Sequence, residues 1–137
     1  MTSGIDKEGD PTPRSYHLGD FFAQLSEPGR CLAVEVGNDF WERGVPQLPP
    51  GRLVSLIESS ENWESWERHP NGEEFILQLT GSLELILDLG HRQDTLTLNP
   101  NDFAIVPQGV WHTANVPLAG HALYITPGEG TEHRRRD

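Results

Sequence analysis

The sequence predicts a single antiparallel all-β domain, and three observations carry that reading. Short apolar runs recur from residue 31 to residue 126. Gly, Pro, Asn and Asp divide them at close intervals, and no long helical period appears after residue 25. Sequential hairpins of this kind close into a sandwich or a barrel. The chain has 137 residues, enough for one domain with a real core and no disulfide staples.

The elements follow in order. Residues 1–14 are polar and rich in Gly, Asp, Pro and Thr, so they are expected to form a flexible N-terminal arm. They lack the apolar stretch of a secretory leader, and no run approaches the ~20 apolar residues of a membrane span. A cytoplasmic protein is the expectation. His17–Leu25 spaces Leu18, Phe21, Phe22 and Leu25 for one face of a short helix, which Ser26-Glu27-Pro28-Gly29 then stops. The predicted strands are 31–36, 52–59, 62–69, 74–80, 83–89, 94–98, 103–107, 112–116 and 121–126. Thr80-Gly81-Ser82 and Leu89-Gly90-His91-Arg92 read as turns in the clearest stretch. The lone cysteine, Cys31, falls in the first of these strands and is expected to be buried and inert. The barrel domain is thus expected over residues 15–127, followed by a basic C-terminal tail over 128–137, solvated or folded onto an acidic neighbour.

Formal net charge is −11, with only 10 Lys and Arg residues. Such a surface repels phosphate backbones and anionic membrane faces, which argues against nucleic acid or membrane as partner and leaves a small molecule.

Two segments concentrate metal-binding side chains. In Trp66-Glu67-Arg68-His69-Pro70-Asn71-Gly72-Glu73-Glu74, Glu67 and His69 are two apart on a strand and share a face. The Pro-Asn-Gly turn brings Glu74 back beside them, while Glu73 points the other way. In Val106-Pro107-Gln108-Gly109-Val110-Trp111-His112, a Pro-x-Gly turn fixes where His112 begins the return strand. Two carboxylates gathered with an imidazole are costly to bury unless a cation or protons satisfy them. Alternation from Glu74 turns Ile76 and Gln78 inward, making them pocket candidates together with Trp66. Trp63 and Trp66 fall on opposite faces, so only one of them lines a cavity. His17, His91, His121 and His133 have no partner at metal spacing and are read as surface or loop residues.

These paired segments resemble the cupin superfamily, in particular its small single-domain bacterial members. The first cupin motif has the form G-x5-H-x-H-x(3,4)-E-x6-G, and here His69, Glu74 and Gly81 match it in register. The second has the form G-x5-P-x-G-x2-H-x3-N, and Pro107, Gly109 and His112 match it. Glu67 stands where the motif has its first histidine, Glu61 and Asn101 replace the opening glycines, and Asn115 falls one place early. The resemblance implies a jelly-roll barrel (a double-stranded β-helix) and a metal site on Glu67, His69, Glu74 and His112. That mixed nitrogen and oxygen set suits Fe(II), Mn(II), Ni(II) or Zn(II). It also implies a homodimer. The functional expectations are a metal-dependent enzyme, dioxygenase- or isomerase-like, on a small metabolite, or a barrel that binds a sugar or other small ligand without tightly bound metal or turnover.

Overall fold

A computed structural model describes residues 13–137. Eleven strands follow in order: β1 (Phe21–Ser26), β2 (Arg30–Glu35), β3 (Arg52–Ser59), β4 (Ser65–Arg68), β5 (Glu74–Gln78), β6 (Ser82–Asp88), β7 (Gln93–Leu98), β8 (Phe103–Val106), β9 (Trp111–Leu118), β10 (Gly120–Thr126) and β11 (Glu132–Arg135). Two short helical turns, Phe40–Gly44 and Val45–Gln47, interrupt the chain between β2 and β3. The strands form two antiparallel sheets, ordered β2-β1-β3-β10-β5-β8 and β11-β4-β9-β6-β7. This is the all-β jelly roll that the motifs imply. Among the described residues no helix is long and apolar enough to cross a membrane.

Strict alternation builds the interior. On β6, Leu83, Leu85 and Leu87 point inward and are buried, and Ile76 on β5 and Ala114 on β9 meet them between the sheets. A second cluster of Phe22, Val34, Phe40 and Leu53 closes the other end, with Phe22 and Phe40 edge to face at 5.4 Å. Two turns next to the strands of Glu74 and His112 need glycine. Gly81 has φ +69, and a side chain there would run into the backbone of Leu118 and Ala119. Gly109, three residues before His112, has φ +74.

Two expectations are corrected. The helix expected over His17–Leu25 is replaced by β1, which pairs with β2 on one side and β3 on the other. Leu18, Phe21, Phe22 and Leu25 fit a helical stripe because both faces of β1 carry apolar residues, and the sheet captures its backbone. Cys31 is exposed, since β2 is an edge strand and turns this residue outward. Of the two readings of the C-terminal tail, the folded one fits, although its strand side chains stay exposed. Its residues 132–135 form β11 on the edge of β4, with His133 opposite Glu67. Most of the expected N-terminal arm, residues 1–12, lies outside the described residues.

The outer face of the six-stranded sheet breaks the usual polar pattern. Two cross-strand rows, Val54-Ile125-Phe75-Ile105 and Leu56-Leu123-Leu77-Phe103, are wholly apolar. Phe103 and Ile105 are 57% and 54% exposed.

Candidate metal centre

Four chain segments meet at the centre. Strand β4 carries Glu67, His69 follows it, Glu74 opens β5, and His112 sits on β9 directly opposite Glu67. Glu74 Oε1 lies 3.0 Å from His112 Nε2 and 3.4 Å from His69 Nε2. Glu67 Oε2 is 4.0 Å from His69 Nε2, and donor atoms of Glu67, His69 and His112 all fall within 4.8 Å of one another. The structure therefore brings together all four residues singled out in the sequence. Glu74, His69 and His112 are buried, whereas the Glu67 side chain is 30% exposed.

The outer nitrogens of both imidazoles are committed. His112 Nδ1 lies 3.1 Å from the carbonyl of Val110, which only accepts, so Nδ1 carries the hydrogen. His69 Nδ1 lies 2.8 Å from Thr131 Oγ1. That hydroxyl donates its own hydrogen to the Gly128 carbonyl at 2.8 Å, so it accepts from His69. In the neutral form both Nε2 atoms thus present lone pairs to Glu74 Oε1. Glu74 Oε2 is meanwhile engaged by Thr126 Oγ1 at 2.6 Å.

Among the described residues, His69 Nε2, Glu74 Oε1 and His112 Nε2 are buried without a hydrogen-bond partner. Once an imidazole is protonated, its Nε2 hydrogen faces Glu74 Oε1, 3.0 Å away for His112, and hydrogen bonding first and charge second couple the two. Burial by itself raises the Glu74 pKa, yet the two imidazoles outweigh it and hold the carboxyl at about 2. Burial likewise opposes protonation of His112, and Glu74 more than offsets it, leaving the pKa raised. Such a cluster is satisfied either by protons on the imidazoles or by a cation among the three atoms. Two imidazole nitrogens with carboxylate oxygen fit a first-row divalent metal, and each histidine has the outer hydrogen bond that orients such ligands.

The centre opens into a cavity of about 910 Å³, within the range of small-molecule sites. Trp41, Pro46, Leu48, Ile57, Trp63 and Tyr124 supply its apolar wall, and Glu67, His69 and Glu74 lie at its polar end. Among the described lining residues there is no Lys or Arg. The Tyr124 hydroxyl is buried and unpartnered, and burial followed by the nearby Glu74 and Glu67 charges pushes its pKa well up, so it stays a donor.

The expected pocket residues are placed differently. Trp66 alternates with Glu67 and so faces outward, where Arg134 lies over its ring at 5.2 Å. Trp63 takes the cavity wall, its ring 6.3 Å from that of His112. Ile76 packs into the core, and the Gln78 amide donates to the Thr80 carbonyl at 2.6 Å. Both point inward as alternation requires, but neither lines the cavity. His133 was read as lacking a partner at metal spacing, yet its Nε2 lies 3.1 Å from Glu67 Oε1. Local sequence marks none of Tyr124, Thr126, Thr131 and His133, since β10 carries apolar Leu123 and Ile125 on its other face.

Comparison with known proteins agrees with this architecture. The family model described as cupin domain matches residues 53–126, more than half of the chain. Among solved structures, vicilin from Solanum lycopersicum (tomato) is similar with a TM-score of 0.51 at 10% identity, covering 63% of this chain and 25% of its own. A cupin-2 domain containing protein from Shewanella frigidimarina has a TM-score of 0.49 at 17% identity, covering 59% of this chain and 74% of its own. Hydroquinone 1,2-dioxygenase from Sphingomonas sp. TTNP3 has a TM-score of 0.48 at 13% identity, with 55% and 58% covered. The chain thus spans about a quarter of the vicilin and little more than half of the dioxygenase. No curated protein matches significantly.

Proposed function

As this chain belongs to the cupin family, we propose that it holds one divalent transition metal on His69, Glu74, His112 and Glu67 and acts on a small, uncharged, largely apolar molecule. One observation carries the metal reading: three buried donor atoms converge with no partner, and both histidines present lone pairs to a carboxylate. When bound, a divalent metal supplies Lewis-acid polarisation and open coordination positions for substrate. Both dioxygenase-like and isomerase-like chemistry draw on these.

The chain's own residues divide the work. Glu74, enclosed by Thr126 and two imidazoles, is a fixed ligand. Glu67, partly exposed at the cavity's polar end, is the carboxylate within reach of a substrate proton. Trp41 and Trp63 offer flat apolar surface, and Tyr124 offers a buried donor to a ligand oxygen. Two carboxylates cancel the charge of a divalent ion, and no Lys or Arg lines the cavity among the described residues, so an anionic substrate finds no counter-charge there. Elemental analysis of protein purified without chelator, beside His112→Ala, tests the reading. Stoichiometric Fe, Mn, Ni or Zn is expected in the wild type and loss of it in the variant. A folded wild type that takes up none of the four would refute it.

The apolar outer sheet face supports assembly as a homodimer. Its two rows extend roughly 20 Å by 14 Å, about 300 Å² from strand spacing and residue rise. That is the size of an apolar interface core within a standard face of ~800 Å². Residues 1–12 hold only Met1 and Ile5 as large apolar groups, too few to cover it. A second copy offers the same flat apolar face across a two-fold axis.

A further inference from the structure

We infer that the C-terminal segment, residues 131–136, is a working part of the metal centre, a latch whose Thr131 and His133 position two ligands. The inference rests on the metal reading above and concerns residues outside the ligand set. A strand that merely covered a sheet edge would need only its backbone. Here two side chains leave the strand region for ligands.

Thr131 acts through a hydrogen-bond chain. Because its hydroxyl is spent on the Gly128 carbonyl, it accepts from His69 Nδ1 and keeps the hydrogen there, leaving Nε2 free to bind. Without that acceptor, either nitrogen of His69 could carry the hydrogen, and half of the binding geometry would be lost. His133 stands opposite Glu67 in the β11–β4 register and meets its Oε1 at 3.1 Å, which leaves Oε2 turned toward His69. Strand β4 depends on this partner. It pairs with β11 over four positions but with β9 only at Glu67 and His112.

The latch is fastened by the basic residues that stand out on an acidic chain. Arg134 lies over the rings of Trp66 and Trp111, at 5.2 and 4.7 Å, and reaches Asp88 at 3.0 Å. Arg136 donates to the carbonyls of Trp63 and Ala114 and, at 2.7 Å, to Asn115 Oδ1. With the Arg68–Glu132 ion pair at 2.8 Å, these contacts lock the segment down on both sides of His133.

The test titrates the full chain, stripped of metal, with Zn(II) by calorimetry and records thermal unfolding of each metal-free protein. Thr131→Val is expected to weaken binding about 10-fold or more, the usual cost of losing an outer partner of a histidine ligand. Thr131→Ser, which restores the hydroxyl, is expected to bind within about threefold of wild type, a rescue that a packing role would not give. His133→Ala, at a side chain 57% exposed, is expected to fold as wild type and bind several-fold more weakly, and it decides the matter if Thr131→Val does not fold. Wild-type affinity in both Thr131→Val and His133→Ala overturns the latch alone. No zinc uptake by the wild type overturns the metal reading and the latch with it.

Discussion

Replacing Glu74 by Gln probes the centre with almost no change of shape. Thr126 Oγ1 donates to Glu74 Oε2 at 2.6 Å, and a glutamine keeps this bond by placing its carbonyl oxygen there. Its NH₂ then points at His112 Nε2 and His69 Nε2, where the carboxylate oxygen stood 3.0 and 3.4 Å away. With both imidazoles neutral and protonated on Nδ1, the amide donates to two acceptors that the carboxylate left unpartnered. At about 0.5–1.5 kcal/mol each, the metal-free variant gains about 1–3 kcal/mol. For a domain of this size that is roughly 3–10 °C in Tm.

The sign of the effect reverses with pH. The folded-state pKa of His112 is raised by Glu74 against the opposing effect of burial, so its stabilisation is fully present below the ordinary value of 6.5. It is lost as pH rises through the raised value, and Glu74→Gln lacks it altogether. Metal-free Glu74→Gln is therefore expected to melt below wild type at about pH 5.5 and above it at about pH 9.5. It is expected to bind Zn(II) at least about 10-fold more weakly. Thermal unfolding of chelator-stripped proteins at the two pH values, with calorimetric titration at neutral pH, reads both effects. A variant less stable than wild type at the alkaline pH, or one with wild-type affinity for zinc, would refute the tautomer argument.

Acid should weaken metal-free wild type more steeply than Glu74→Gln. The Glu74 pKa of about 2 lies below its ordinary 4.5, so its stabilisation, on the order of 3 kcal/mol, is present above pH 4.5 and lost as pH falls toward 2. Matching urea curves for the two proteins across that window would contradict this. Leu85→Ala, at a fully buried core position, should cost about 2–5 kcal/mol. Leu96→Ala, at a 40% exposed position, should cost under about 1 kcal/mol by the same denaturant assay. Phe103→Asp combined with Ile105→Asp should convert a dimer to a folded monomer by light scattering. A wild type that is already monomeric at working concentration removes the assembly proposal.

Most strands were legible because one face of each is buried, and burial writes a period of two into the sequence. Residues 82–88, with Leu83, Leu85 and Leu87 inward, show this plainly. The ligands His69, Glu74 and His112 were legible for a related reason. Each is tied to a nearby turn, Pro70-Asn71-Gly72 or Pro107-Gln108-Gly109, so short-range spacing already fixes its direction. Strand β1 escaped because Leu18, Phe21, Phe22 and Leu25 fall at helical spacing, and only its pairing with β2 and β3 decides for a strand. Strand β11 escaped because Glu132, His133, Arg134 and Arg135 are all exposed and carry no hydrophobic period. It is held by pairing to β4 and by cation–π and guanidinium contacts, which leave no local trace.

The amino-acid order alone therefore determined an antiparallel barrel and three convergent candidate ligands, since alternation and turn chemistry act over a few residues. Only the tertiary structure decided which tryptophan lines the cavity, that Tyr124 faces it, and that Cys31 is exposed. It alone returned the C-terminus to the metal centre. Contacts such as Thr131 to His69 and His133 to Glu67 join residues more than sixty positions apart, and only the closing of the two sheets brings them within hydrogen-bonding range.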